Sequence, residues 1–318
     1  MRSRRFKLLQ FEAVTEEIRS ENVVVICTKN RPQHLRSLLE SVCNQSELVD
    51  AVVIVDASTS EASQVVSSHF TGKLNLTYVH SEIASLPVQR NYALRLVRDR
   101  YTFVHFFDDD VILHPTYFEY VCAGFAQDLD VVGISGNNVC ADPARLSLAL
   151  RLTGNGAKPG HLSRAGVNSL ARGRGDKQVS WLSGCSMSYR LAQIHGLCFD
   201  ERRVGYALGE DVDFSVRAGA RGKLLWMSSA TLEHHEAPVE RLKMEPFARQ
   251  MAKHRMLLAH DRLGGVRRWL VVTHAPLAGL HLALKAPVSR MAQTWLVYVG
   301  GVLSWSRGSK RPQSMTGT

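Results

Sequence analysis

Three consecutive carboxylates, Asp108-Asp109-Asp110, close an apolar and aromatic run from Tyr101 to Phe107. Like charges this close repel one another, so the triplet is costly unless a cation neutralises it. Hard oxygen donors suit Mg2+ or Mn2+ held jointly with a diphosphate. An acidic turn capping the next segment would account for a lone triplet equally well. Position favours the cation: Asp56 stands just past a second apolar run, Ala51 to Val55, and would face the same crevice if the two runs are strands of one sheet. Farther on, Gly209-Glu210-Asp211 opens an amphipathic segment with two acids in its first turn, where a helix dipole favours them. The six cysteines are scattered without a CxxC or a close Cys/His pairing, which argues for buried reduced thiols and against a zinc site.

The elements that must position these groups follow from hydrophobic periodicity. Val23 to Cys27 is a β-branched run of the kind that forms a buried parallel strand. A polar turn, Thr28-Lys-Asn-Arg31, leads to Pro32 at a helix start, with Leu35, Leu38, Leu39 and Val42 on one face. Ala51 to Val55 completes a βαβ unit, so a right-handed crossover and a parallel sheet are expected. The alternation continues through a strand at Leu74 to Val79, a helix from Pro87 to Arg100 and the strand ending in the Asp triplet. Ligands of open α/β sheets bind beyond the carboxyl ends of the strands, where Thr28 to Arg31, Asp56 and Asp108 to Asp110 all lie. Val131 to Ile134 reads as a further strand. The Gly/Arg-rich stretch Thr153 to Gly175 reads as a long functional loop and a candidate lid. Trp181 to Arg190 reads as strand, tight turn and strand, and Lys223 to Met227 as a short strand leading to His234-His235. A helix over Pro246 to Arg262 carries Phe247, Met251 and Leu258 opposite Arg249, Lys253 and Arg255.

Taken together, Thr28-Lys-Asn-Arg31, Val55-Asp56, Gln89-Arg90-Asn91, Phe107-Asp108-Asp109-Asp110, Trp181-Leu-Ser-Gly-Cys and Gly209-Glu210-Asp211 resemble, in order and approximate spacing, the family-2 glycosyltransferases of the GT-A fold. The resemblance covers roughly residues 21 to 240. It implies an α/β fold with a Rossmann-like, mostly parallel sheet flanked by helices, and an inverting transfer of a sugar from a nucleotide diphosphate to an acceptor hydroxyl. By the same resemblance Thr28, Asn30, Arg31, Asp56, Arg90, Asp108 and Asp109 would bind the nucleotide sugar, and Asp108, Asp110 and His234 would hold Mn2+ or Mg2+, with His235 as the other possible ligand of the pair. Asp211 matches the general base and Glu210 a residue that orients the acceptor. Trp181 and Gly184 would lie against the sugar or acceptor: an indole face stacks on sugar rings, and glycine allows close backbone approach. Where many relatives have a second acid or Gly after the first Asp, this chain has Ala57-Ser58-Thr59.

The formal net charge of the 318 residues is +10, which at first suggests a polyanion partner. The excess is local: residues 241 to 318 hold 13 basic and 2 acidic residues, and the first 240 hold 26 and 27. A nucleic-acid binder is therefore disfavoured, because most of the chain is neutral and the tail has few paired aromatic and basic residues. A nucleotidyltransferase would share the βαβ start and the carboxylates, but Thr28-Lys-Asn-Arg-Pro32 lacks the glycines of a triphosphate loop. Two apolar segments in the tail, Trp269 to Leu284 and Met291 to Trp305, are shorter than a spanning helix and flanked by Arg and Lys. They read as interfacial helices on an anionic membrane surface, or as helices packed on the domain or a second subunit. The expected division is an N-terminal extension over residues 1–20, the GT-A domain over 21–262 and a membrane-associating helical appendage over 263–318. The basic start runs into Glu12, Glu16 and Glu17 without an apolar core, so no secretory signal is read and a cytoplasmic location at the inner face of the membrane is expected. The acceptor would then be a carbohydrate or lipid-linked molecule in cell-surface polysaccharide or glycolipid assembly.

Overall fold

The computed structural model describes residues 6–10, 20–141, 158–203, 207–235 and 243–307. The strands are β1 (Phe6–Gln10), β2 (Ser20–Thr28), β3 (Ala51–Asp56), β4 (Leu76–Ser81), β5 (Tyr101–Asp108), β6 (Val111–Leu113), β7 (Val131–Asn138), β8 (Lys177–Val179), β9 (Ser186–Arg190) and β10 (Lys223–His234). Between them run α1 (Pro32–Cys43), α2 (Ala62–Ser68), α3 (Leu86–Val97), α4 (Tyr117–Gln127) and α5 (Glu210–Gly219). They form one sheet in the order β1-β4-β3-β2-β5-β9-β7-β10-β6, with β8 on β10.

The strands β2, β3, β4 and β5 are parallel, and all six residues of β3 are buried, as expected when helices cover both faces of a sheet. Leu35, Leu38, Leu39 and Val42 of α1 share one core with Tyr117, Phe118, Val121 and Phe125 of α4. On the opposite face Ala93, Leu94 and Val97 of α3 share a second core with Phe199 and with Phe214 and Ala218 of α5. The chain steps outward from β2 to β3 and β4, then returns to the other side of β2 as β5. The crevice between the carboxyl ends of β2 and β5 is the topological switch point, and it is where Thr28 and Asp108 stand.

Three elements depart from the sequence expectation. Trp181 to Cys185 does not form a strand: the Leu182 N–H donates to Ser215 Oγ (3.1 Å) and the Gly184 N–H to Asp211 Oδ2 (3.0 Å), so side chains of α5 take the donors that a neighbouring strand would use. The strand before it is β8, and β9 begins only at Ser186. Second, β10 does not stop at Met227. Its pairing is irregular between Trp226 and Thr231, where Asp176 accepts from the Ser228 N–H (2.8 Å), and it then continues antiparallel to β6 as far as His234. Third, β1 adds antiparallel to the edge of β4, so part of the presumed N-terminal extension belongs to the sheet. Of the expected Thr153–Gly175 loop, residues 153–157 lie outside the described residues. The remainder is turn-rich and closed by a Leu162–Asn168 bridge.

A second compact unit contains residues 163–167 and the helices α6 (Met244–His260), α7 (Arg268–Ala283) and α8 (Met291–Arg307). The boundary falls near residue 240, not at 262, because α6 packs with the tail. Arg255 Nη1 donates to Tyr298 Oη at 2.5 Å, and a Cβ on Gly301 would come within 3.0 Å of the Ala252 Cβ. No helix among the described residues is long and apolar enough to cross a membrane.

Candidate active site

The turn after β2 is fixed by residues that face each other across the switch point. Thr28 Oγ1 donates to Asp109 Oδ2 (2.6 Å), and Arg31 Nη1 donates to Asp109 Oδ1 (2.9 Å) and Asp110 Oδ2 (3.1 Å). Between them Asn30 has φ +56°, a left-handed conformation that Asn tolerates better than most residues. Its Oδ1 accepts from the Thr59 N–H (3.0 Å), and its own N–H donates to Ser58 Oγ (2.7 Å). Ser58 is held in turn by Asp56, which accepts from the Ser58 N–H at 2.8 Å, from the Ser58 hydroxyl and from the Tyr78 hydroxyl. Asp56 is fully buried. Expected to meet the nucleotide, it acts here as a brace that shapes the Asn30–Thr59 turn, because both its oxygens are engaged inside the protein.

The Asp triplet, one residue at the end of β5 and two in the turn that follows, divides its contacts. Asp109 points inward, 5% exposed, and spends both oxygens on Thr28 and Arg31. Burial pushes its carboxyl up to about 6 against the pull of those two partners. Asp109, expected to assist donor binding through water, is placed as an anchor of the Thr28–Arg31 turn. The carboxylates of Asp108 and Asp110 and the His234 imidazole bring one ligand atom each within 4.8 Å of one another, while the second oxygen of Asp110 stays on Arg31. Asp110 Oδ1 lies 2.9 Å from His234 Nε2, yet this buried oxygen has no aligned hydrogen-bond donor. An orphaned carboxylate oxygen beside an imidazole nitrogen, with a second carboxylate in reach, is a donor set that fits a divalent cation of the Mn2+ or Mg2+ type. Without one, burial disfavours charge at His234, but the Asp110 carboxylate and the Cys185 sulfur outweigh it and push the imidazole up to about 11. Burial would likewise raise Asp110, but His234 and Arg31 draw its carboxyl below the usual range. His235 instead makes an exposed contact with Glu233 Oε2 (2.8 Å) and is not one of the groups that converge with Asp108 and Asp110.

Arg90 is the strut of the site. Its side chain is 1% exposed, and it donates to Asp108 Oδ1 (2.9 Å), to the Gly184 carbonyl (2.9 Å) and to Glu210 Oε1. Phe106 and Phe199 flank the guanidinium, with ring centroids 5.9 and 5.5 Å away. The resemblance placed Arg90 against the nucleotide and Glu210 against the acceptor, but both are buried and paired with each other. They set the positions of Asp108 and the Gly184 backbone. Removing Arg90 would strand the buried Glu210 carboxylate and leave the partly exposed Asp108 without this partner. Arg90→Ala is therefore expected to destabilise the fold by about 3–5 kcal/mol, read by chemical denaturation, whereas Glu210→Gln, which keeps a hydrogen-bond acceptor, should cost less.

Gly184 joins this strut to the carboxylate of Asp211. While its carbonyl accepts from Arg90, its N–H donates to Asp211 Oδ2 (3.0 Å), and the Val212 N–H donates to Oδ1 (2.8 Å). Asp211 is presented there because α5 begins at Gly209, whose φ of +75° suits glycine and turns the chain sharply into the helix. Burial raises the Asp211 carboxyl, opposed by the two N–H donors. A Cβ on Gly184 would stand 3.2 Å from the Asp211 Cβ and 3.3 Å from its Oδ2. Gly184→Ala should therefore displace this carboxylate, lowering kcat about tenfold or more at a stability cost near ~1 kcal/mol; steady-state kinetics and thermal melting separate the two. Trp181, expected as a stacking platform, is 6% exposed and donates its Nε1–H to the Ser169 carbonyl (3.1 Å), so it is a packing residue.

Two supporting roles were not read from sequence. Gln89 Nε2 donates to the carbonyls of Thr28 (3.2 Å) and Val55 (2.8 Å), tying the tips of β2 and β3 together, and Asn91 brackets Phe199 through its N–H and carbonyl. The signal was present: three consecutive polar residues in a helix that packs on a sheet cannot all face water. Arg203, 2% exposed and paired with Asp213 (3.3 Å) behind α5, carried no such signal.

Residues 23–175 match the model of glycosyl transferase family 2. No curated protein matches the sequence. Among solved structures, the fold resembles TarS of S. aureus, with a TM-score of 0.54 at 18% identity over 90% of this chain. This chain spans 49% of that TarS chain, and 81% of its 1–349 fragment, which was crystallised with UDP-GlcNAc. The mannosyltransferase PcManGT of Pyrobaculum calidifontis, in complex with GDP-Man and Mn2+, matches with a TM-score of 0.55 at 15% identity, over 92% of this chain and 87% of that one. Glucosyl-3-phosphoglycerate synthase of Mycobacterium tuberculosis, with Mn2+ and UDP, matches with a TM-score of 0.53 at 14% identity, over 78% of this chain and 81% of that one.

Proposed function

The chain carries a family-2 glycosyltransferase domain of the GT-A fold, and from that premise we propose that it is an inverting enzyme moving a hexosyl or deoxyhexosyl group from a nucleotide-diphosphate sugar to an acceptor hydroxyl. The observation that carries this reading is the continuous linkage Asp108–Arg90–Gly184–Asp211, which fixes a cation-binding carboxylate and a raised, partly accessible carboxylate in one frame. The Thr28–Arg31 turn, shaped by Asn30, Ser58 and Asp56, forms the floor for base and ribose. Asp108, Asp110 and His234 hold Mn2+ or Mg2+. When bound, that cation would neutralise charge on the departing diphosphate.

Asp211 is the general base. It takes the acceptor hydroxyl's proton as that oxygen bonds to the anomeric carbon and the bond from that carbon to the diphosphate oxygen breaks on the opposite side. Glu210 works at one remove, by holding Arg90. Because the second unit is basic, the acceptor in this reading is lipid-linked or handled at the inner face of a membrane, in polysaccharide or glycolipid assembly, with the protein peripheral to that membrane.

The anomeric configuration of the product, read by NMR coupling constants, tests the single-displacement step. Inversion supports it; retention, or release of a sugar 1-phosphate, contradicts it. The base also sets the pH profile. A base works ionised, and burial raises the Asp211 carboxyl, so activity should fall on acidification at a higher pH than the ordinary Asp value of about 4. An acid limb at or below the ordinary value would remove the assignment.

A further inference from the structure

Helix α7 is apolar on two opposite faces, and among the described residues only one of them is packed. At about 100° per residue, Val271, Ala275, Ala278, Gly279 and Leu282 lie on one side, and all are buried. Gly279 sits against Trp295, Tyr298 and Val299 of α8, each within 3.2 Å of where a Cβ would stand. On the other side Trp269, Thr273, Leu277, Leu280 and Leu284 fall within an arc of about 80°, and all are exposed. Trp269 is 62%, Leu280 48% and Leu284 63% exposed, and Val288, just past the helix, is 87% exposed. A helix that is apolar all round is usually buried in a core or in lipid. This one has an uncovered stripe with a Trp at its start.

The charges beside the stripe indicate what covers it. Arg267 and Arg268 stand at its start and Lys285 and Arg290 at its end; Arg290 lies 3.6 Å from Glu245 Oε1, and no Asp or Glu follows Asp261 in the chain. Two copies pressed together on this face would bring like charges together, whereas an anionic surface would attract them. At 16 residues the helix is about 24 Å long, less than the roughly 30 Å of a bilayer's hydrocarbon core, so it would lie in the interface and not cross it. We propose that the exposed Trp269–Leu284 stripe of α7, continued by Val288, is the surface that docks on a bilayer of anionic phospholipid, with the flanking Arg and Lys side chains at headgroup level. This deepens the reading of the enzyme as peripheral to a membrane and rests on it for its purpose, but not for its test.

The test is flotation of the full chain with vesicles of phosphatidylcholine alone or mixed with phosphatidylglycerol. The expected result is partition onto the mixed vesicles, at least about tenfold weaker on pure phosphatidylcholine and in the Leu280→Glu/Leu284→Glu variant, and unchanged by Leu129→Glu on the exposed surface of the other unit. Equal partition of the Leu280→Glu/Leu284→Glu variant and the wild type would overturn the proposal. So would a dimer in solution that this variant dissociates without any vesicle binding, which would assign the face to a second copy. Hydrolysis of a nucleotide sugar in vesicle-free buffer, measured on the same proteins, should not change in the variant. A failure of docking is thereby distinguished from a failure of the transferase reading.

Discussion

Asp211→Asn should lower the rate of sugar transfer by about a thousandfold while leaving donor affinity within about twofold. The carboxylate accepts the Gly184 and Val212 N–H groups through separate oxygens, so it is held by its surroundings and not by the donor. Asparagine has the same shape but only one acceptor oxygen, so one of those N–H donors would face an amide NH2, at a cost of about 1 kcal/mol to stability. It cannot take a proton, and an acceptor hydroxyl is a poor nucleophile until its proton is being removed. Single-turnover transfer measured beside calorimetric donor titration separates the two effects. Donor binding intact with transfer lost supports the base; loss of both in proportion would mean that Asp211 supports the binding site instead.

The second large effect is expected at Asp110. This carboxylate meets Arg31 Nη1 at 3.1 Å and His234 Nε2 at 2.9 Å and is one of the three groups that converge in the cation cluster. Asp110→Ala should weaken Mn2+ affinity by about a hundredfold or more and abolish the metal-dependent part of donor binding. The fold should tolerate it: Arg31 keeps its 2.9 Å contact with Asp109, and one of three crowded negative charges disappears. Mn2+ titration followed by electron paramagnetic resonance reads the metal directly. His234→Ala should follow the same direction, whereas His235→Ala, whose ring pairs with Glu233 at the surface, should bind Mn2+ as the wild type does.

How much of this was legible in the sequence depended on whether a residue's partner is near it in the chain. The runs Val23 to Cys27 and Ala51 to Val55, the helix start at Pro32 and the carboxylates at strand ends are local patterns, and they placed the switch-point crevice correctly. Asp108 and Asp110 stood out because they close an apolar run and Asp211 because it opens a helix, whereas His234 came from the family resemblance, since the strand that carries it was expected to stop at Met227. What sequence could not convey was orientation across the crevice. Asp109 differs from its neighbours in giving both oxygens to the turn after β2, to Thr28 and Arg31, contacts that span some eighty residues of chain. Arg90 and Glu210 read as polar site residues, and their burial became visible only once α3 and α5 were laid on the same face of the sheet. Trp181 was misread as a platform because an indole serves stacking and packing alike, and only its contact with the Ser169 carbonyl tells them apart. The domain boundary was set too late because α6 is amphipathic, a pattern that says one face is covered but not by what.

The most direct test of the central claim is thermal stability of the full chain against a panel of uridine, guanosine and deoxythymidine diphosphate sugars, with Mn2+ or with EDTA. The account predicts that one nucleotide family raises Tm in Mn2+, that EDTA removes the shift, and that Asp110→Ala lacks it while Asp211→Asn retains it. A flat response across the panel, or a shift of equal size in EDTA and in Asp110→Ala, would contradict it.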